Sequence, residues 1–316
     1  MRAYIIKRLL LVIPTVFLAS LIIFFMIRLL PGSIIDMIVS EAYFITPTQR
    51  LAIEHELGLD VPAHIQYGRW VVNIMHGNLG TSLWTQVPVV DEIAARWPVT
   101  LQLGIMGLIV AQLIALPIGI FSALRQDTWG DYIGRSFAIL CISVPAFWLG
   151  TMVIVFPAIW WGYTPSIMLV PFTEDPIGNL KMFIVPAIIL GMGMCGMTMR
   201  MTRTMMLEAM RQDYIRTAWA KGLRERAVVL RHALKNALIP VVTMVGIQVP
   251  ILIGGAVIIE QIFCLPGLGR LLVDSTTRRD YITISGILLF FAGGLVLINL
   301  IVDLTYSFLD PRIRYR

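Results

Sequence analysis

Few residues in this chain combine the type and the spacing that chemistry requires. The four histidines, His55, His64, His76 and His232, form no HxxxH or HExxH arrangement. The three cysteines, Cys141, Cys195 and Cys264, each sit in or at the end of an apolar stretch and lack the short spacing of a metal knuckle or a disulfide framework. No Ser-His-Asp or Cys-His constellation is visible, so an enzyme is not expected. The glycine clusters at 77–80 and 267–269 lack the lysine of a GxxxxGK[ST] phosphate loop, and no energy source is therefore encoded. The run Gly191-Met192-Gly193-Met194-Cys195-Gly196-Met197-Thr198-Met199 offers soft sulfur donors of the kind that hold copper(I). Its methionines fall two and three residues apart, which scatters them around a helix, so core packing with close helix contact through the glycines is expected instead.

Two carboxylates, Glu260 and Asp303, lie within or near strongly apolar runs. An ionisable group at such a depth is a functional candidate. Each also lies near the end of its run, where it can be solvated or paired, and the structural reading stays open beside the functional one.

The elements that carry these residues are set by composition. Of 316 residues, 58% are hydrophobic and only 14% charged, and the mean hydropathy is +0.81. Such a chain cannot solvate a globule of its size; lipid must be its main solvent. The net charge of +6 does not point to nucleic acid, because the basic residues punctuate apolar runs instead of clustering on a soluble face with stacking aromatics. Six runs are long enough to cross a bilayer, at residues 9–27, 101–124, 137–159, 182–199, 241–263 and 282–308. The first follows Arg2, Lys7 and Arg8 and ends at Arg28 with no small-residue cleavage site, so it is read as a retained span.

An even number of spans places both termini on one side. Of the 25 lysines and arginines, 17 fall on the side of the termini and 7 on the other, with Arg28 at a helix end. The richer side is expected to be cytoplasmic. The chain divides accordingly into residues 1–30 (N-terminus and first span), 31–98 (an extracytoplasmic segment) and 99–316 (a five-helix core with a cytoplasmic loop at 200–240). Within 31–98, Thr46-Pro47-Thr48-Gln49 forms a capping box for a helix ending near Gly58. A second helix is expected at 63–76, with Tyr67, Trp70, Val71 and Ile74 on one side and Gly77 as its stop. These helices either pack on the outer ends of the spans or dock an external protein.

The loop at 200–240 is the most informative stretch. Residues 208–221 are good helix material, with Ile215, Ala218 and Trp219 on an apolar side, and Gly222 breaks the run. A second amphipathic helix is expected from Leu223, its stripe formed by Leu223, Ala227, Leu230, Leu234 and Leu238, until Pro240 opens the fifth span. A helix, a glycine turn and another helix between two spans make either a hairpin resting on anionic lipid or a lever through which a soluble motor moves the spans.

Here a resemblance becomes specific. Arg216-Thr217-Ala218-Trp219-Ala220-Lys221-Gly222 resembles the EAA loop of ABC importer permeases, in the form found in the dipeptide, oligopeptide and nickel family. It departs from the general superfamily pattern in having Arg216 for the glutamate and in its late Leu238-Ile239-Pro240 ending. Other segments are similar to that family in order along the chain: Leu57-Gly58-Leu59-Asp60, Gln66-Tyr67 with Trp70, Gly77-Asn78-Leu79-Gly80-Thr81-Ser82, Ser143-Val144-Pro145-Ala146-Phe147-Trp148-Leu149-Gly150, Pro266-Gly267-Leu268-Gly269-Arg270-Leu271-Leu272 and Leu309-Asp310-Pro311-Arg312. Pro31-Gly32-Ser33 departs from it, since the family usually continues there with aspartate and proline.

The resemblance implies an all-α integral membrane protein of the type I importer permease kind, in a prokaryotic plasma (inner) membrane. It implies a second homologous permease subunit, two ABC ATPase subunits that use the ATP, and an extracytoplasmic substrate-binding protein. No cofactor bound by this chain and no nucleic acid are implied. Asp213, Tyr214, Arg216, Thr217, Ala218, Lys221 and Gly222 would form the ATPase-docking loop. The expected cargo is a di- or oligopeptide, with nickel or an oligosaccharide as the alternative. A self-sufficient secondary transporter would instead need discontinuous helices and an ionisable site near the midplane.

Overall fold

The computed structural model describes residues 2–28, 60–162 and 168–309. They are almost entirely helical: α1 (Arg2–Arg28), α2 (Ala63–Met75), α3 (Val89–Leu124), α4 (Trp129–Ser143), α5 (Ala146–Trp161), α6 (Pro176–Met210), α7 (Asp213–Ala220), α8 (Glu225–Ile262), α9 (Leu268–Thr277) and α10 (Tyr281–Leu309). The capping-box helix expected at Thr46 and the closing Asp310-Pro311-Arg312 lie outside the described residues. Five helices are long and apolar enough to cross a membrane, and α4 with α5 supplies a sixth crossing if the pair is taken as one span.

That pair corrects the straight third span expected at 137–159. The helix stops at Ser143, and its continuation leaves at 92°. Pro145 has no N–H to give to the preceding turn, and it holds Val144 extended at φ −82°, ψ 120°. The fourth and fifth spans are longer than their apolar runs. α6 continues to Met210, well beyond Met199, so the helix expected at 208–221 is divided at Arg211 and Gln212. α8 runs through Pro240 without a break and includes a π-helical stretch at Val228–Ala233. Pro240 removes one backbone hydrogen bond from the helix, while Ala237 and Val241 on either side of it stay buried.

The chain forms two compact units, one of Val99–Arg270 with Ile298–Arg316 and Met1, the other of Arg2–Pro98 with Leu271–Leu297. In the first, α6 is the central rod, against which α4 and α8 pack. The methionine-glycine run is part of that packing. A Cβ on Gly191 would sit 2.5 Å from the Gly107 carbonyl oxygen, and one on Gly196 would sit 2.6 Å from that of Ala138. Met194, Cys195 and Met199 fill the core beside them. The sulfur atoms thus serve as deformable filling between closely approaching helices.

In the second unit, α2 lays the expected side on α1. Tyr67 Oη and Ser20 Oγ are 2.8 Å apart, and the Phe24 ring meets Tyr67 edge-on and Trp70 at a tilt. Gly77, at φ +77°, ends the helix where expected. The Gly77–Ser82 motif then turns to aim Ser82 Oγ at Asp280, to which it donates at 2.5 Å, while Thr283 donates to the same carboxylate at 2.8 Å. Beside it lies a polar cavity of about 190 Å³ that includes Glu92 and Arg96, 3.0 Å apart.

Candidate functional site

The short helix α7 starts after Gln212, with Asp213 in its first turn, where a carboxylate faces the positive end of the helix dipole. Only two of its side chains face inward. Ile215 is 1% exposed and Ala218 5%, and they join Ala123, Met206 and Ala209 with Val228, Val229, Ala233 and Ala237 of α8 in one apolar cluster. Trp219, expected on the apolar side, is 42% exposed, because it lies one residue, about 100° of helix, beyond Ala218. Tyr214, Arg216, Thr217 and Lys221 are exposed as well. Arg216 approaches Asp213 to 3.3 Å across the solvent face, and the Thr217 hydroxyl donates to the Asp213 carbonyl at 3.0 Å.

Of the seven residues assigned to docking by resemblance, six therefore share the exposed surface of α7 and its C-terminal turn. Ala218 anchors the helix from below. Gly222 takes φ +72°, and its N–H donates to the Trp219 carbonyl at 2.9 Å, while Leu223 N–H donates to that of Ala218 at 3.4 Å. A left-handed residue just past the helix end is the ordinary way to satisfy such carbonyls.

The stripe expected on the following helix is displaced in part. Leu223 and Leu230 are exposed, and the buried positions are Val228, Val229, Ala233, Ala237 and Val241. From Val229 onward these recur every four residues, a spacing that drifts around a regular α-helix. The π-helical stretch widens the turn there and brings them back onto one face. Of the expected stripe, Leu234 packs against this cluster and Ala227 and Leu238 are half-buried, whereas Leu223 and Leu230 turn outward because sequence periodicity assumes a constant pitch.

Two polar constellations escaped sequence reasoning in different ways. Asp131 was not singled out at all. It is fully buried; its carboxylate receives both arms of Arg203, Nε at 2.7 Å and a terminal nitrogen at 2.6 Å. Ser122 Oγ donates to it at 2.5 Å and Asp127 N–H at 3.1 Å, so α3, the following turn, α4 and α6 meet at one anion. Arg203 had counted only as a topological charge. No local pattern could have revealed the pair, which lies 72 residues apart in the chain.

Glu260 was singled out, without a role. It is fully buried near the end of α8. One carboxylate oxygen accepts from Thr100 Oγ1 at 2.6 Å and the other from Arg270 N–H at 3.1 Å. Thr100 Oγ1 in turn accepts from Leu268 N–H at 2.8 Å. Pro266-Gly267-Leu268-Gly269 wraps the carboxylate so tightly that a Cβ on Gly267 would lie 2.3 Å from its carbon, and one on Gly269 would lie 2.4 Å from Val257 Cα. Asp303 lies on α10. Among the described residues, no group of three or more His, Cys, Asp or Glu side chains is placed to hold a metal ion.

Similarity to known proteins covers the whole chain. Residues 115–315 match the family described as binding-protein-dependent transport system inner membrane component, and residues 1–104 match the N-terminal part of such membrane components. A putative peptide transport system permease protein of Brucella abortus (strain 2308) is 41% identical over 315 residues, covering all of both chains. The glutathione transport system permease protein GsiC of Salmonella paratyphi A is 38% identical, with 99% of each chain covered. The dipeptide transport system permease protein DppB of Escherichia coli K12 is 37% identical over the full length of both. A crystal structure of an amino acid ABC transporter with histidines has the same fold, at a TM-score of 0.51 over 70% of this chain and 94% of that one, with 13% identity. With five or six apolar crossings and matches along its whole length, the chain is a multi-pass membrane protein that belongs to the family of binding-protein-dependent transport system inner membrane components.

Proposed function

We propose that this chain is one of two related permease subunits of an ATP-driven peptide importer, and that α7 is the surface on which an ATPase subunit docks. The observation that carries the docking is the make-up of the outer face of α7. Ile215 and Ala218 fix it to the body, while Asp213, Tyr214, Arg216, Thr217 and Lys221 stand outward around the Gly222 turn. An apolar inner and polar outer side is common to surface helices; what favours docking is that the outer side gathers six of the seven residues assigned to docking by resemblance to the EAA loop. Because α8 starts three residues beyond Gly222 and becomes a span, a push on α7 is delivered directly to the membrane. ATP is bound and spent by two partner ATPases, and substrate arrives on an extracytoplasmic binding protein.

The peptide cargo rests on the names of the three relatives, which are peptide, glutathione and dipeptide permeases. The ion-driven alternative finds its discontinuous helix at Val144 and Pro145, but between residues 136 and 162 there is no Asp, Glu, Lys, Arg or His to bind a coupling ion. The test is reconstitution in liposomes with the second permease, the ATPases and the binding protein. Uptake of a radiolabelled dipeptide that needs ATP and every subunit is expected. Accumulation by this chain alone under an ion gradient overturns the importer reading, and uptake of nickel or an oligosaccharide in place of peptide overturns the cargo.

A further inference from the structure

The Glu260 constellation sits at a particular place in the chain. The compact unit that contains it continues into the other at Pro98–Val99, at Arg270–Leu271 and at Leu297–Ile298. Thr100 lies two residues from the first of these passages, and Leu268 and Arg270 lie immediately before the second. All three are held by Glu260, directly or through the Thr100 hydroxyl. The carboxylate therefore ties together segments at two of these three passages of the chain.

Glu260 is also the far end of the arm. Its helix begins at Glu225, beside Gly222, and about 35 residues at 1.5 Å each make a rod of about 50 Å. At one end the rod is gripped by the α7 cluster, through Val228, Val229, Ala233 and Ala237. At the other it is gripped by the latch. A buried carboxylate is a costly way to hold a turn that an apolar contact would hold as well. It is suited to a link that must act on several backbone and hydroxyl donors at once, and Gly267 and Gly269 leave room for nothing but this close wrap.

We propose that Glu260 is a positioning residue for transport: it fastens Thr100 and the Leu268–Arg270 turn to the far end of α8, so that displacement of α7 reaches two of the three places where the chain passes into the second unit. The inference rests on the reading of α7 as the ATPase-docking surface. Glu260 touches neither substrate nor nucleotide; it makes the rod and the segments beyond it move as one.

The sharp variant is Glu260→Gln. Both carboxylate oxygens accept hydrogen bonds, whereas an amide of the same size accepts on one side and can meet the Thr100 hydroxyl only as a donor, so the latch loses its charge and one acceptor while the volume is kept. In proteoliposomes containing the complete transporter, peptide taken up per ATP hydrolysed should fall about ten-fold, in the range of coupling free energies between distant sites. Binding-protein-stimulated ATP hydrolysis and recovery of the assembled complex should stay near wild type. A proportional loss of uptake and hydrolysis, which is what simple destabilisation gives, overturns the proposal, as does unchanged coupling. If the Gln complex cannot be recovered, Thr100→Val removes the hydroxyl bridge and leaves the Arg270 contact, and the same ratio is read with the same two overturning outcomes. Wild-type vesicles keep the two readings apart: failure of ATP-driven uptake there counts against the importer itself, whereas failure only of the variant effect counts against Glu260.

Discussion

At Gly222 conformation alone separates glycine from other residues. Its φ is +72°, and no atom lies within 4 Å of the place a Cβ would occupy, so substitution meets no clash. Gly222→Val should then cost only the backbone penalty of a β-branched residue held left-handed, about 1–2 kcal/mol, relieved by fraying the end of α7 and the start of α8. The spans should insert at normal levels, while ATPase co-purification and uptake should drop together. Full uptake with normal co-purification would return the loop to a lipid-resting hairpin. The left-handed turn was legible in the sequence because it depends on neighbours within five residues. The Asp131–Arg203 pair was not, since a buried carboxylate on a short helix looks like any first-turn aspartate until α6 is laid across it. Glu260 stands between the two: its depth was readable, but one of its hydrogen-bond partners, Thr100, lies 160 residues away in the chain.

A helix face is a statement about pitch, and here the pitch changes. Hydropathy located every long apolar segment, because burial in lipid needs only length and composition. It placed Leu234 correctly against the buried cluster but put Leu223 and Leu230 on the buried side of α8, where a π-helical stretch shifts the register, and it missed the corner at Pro145, where apolar residues continue on both sides of the break. The two faces of α7 can be separated by substitution. Ile215→Ala removes a fully buried side chain from the cluster that joins α7 to α8, at a cost of about 2–4 kcal/mol to local packing. Limited proteolysis should then cut between residues 211 and 224 faster than in the wild type. Tyr214→Ala, on the exposed side, should leave the proteolysis rate unchanged and still weaken ATPase co-purification several-fold, as loss of an aromatic contact at an interface does. If the two variants behave alike on both measurements, the division of the helix into anchor and docking face is wrong.

For the whole molecule the remaining question is which end of the bundle faces the cytoplasm, and charge answers it more directly than packing does. A lysine or arginine costs more to carry across than to leave behind, and the bias is counted over short loops next to spans. The arm between α6 and α8 carries Arg211, Arg216, Lys221 and Arg224 within a few residues of both spans, so the rule predicts the cytoplasm for its side. With α4 and α5 counted as one crossing, α2 is then expected outside and both termini on the cytoplasmic side. Asn73 is exposed on α2 and Thr217 is exposed on α7, and neither is held by a distant side chain. Cys141 and Cys195 are buried, so only Cys264 has to be replaced to give a quiet background for labelling. In intact cells whose outer barrier has been permeabilised, a membrane-impermeant maleimide should label Asn73→Cys and leave Thr217→Cys untouched. In inverted vesicles the pattern should reverse. Labelling of Asn73→Cys from the vesicle interior face alone and of Thr217→Cys from its exterior is the expected signature of ATPase access to α7. The opposite pattern would place α7 where no cytoplasmic motor can reach it, and would remove the docking proposal together with the topology.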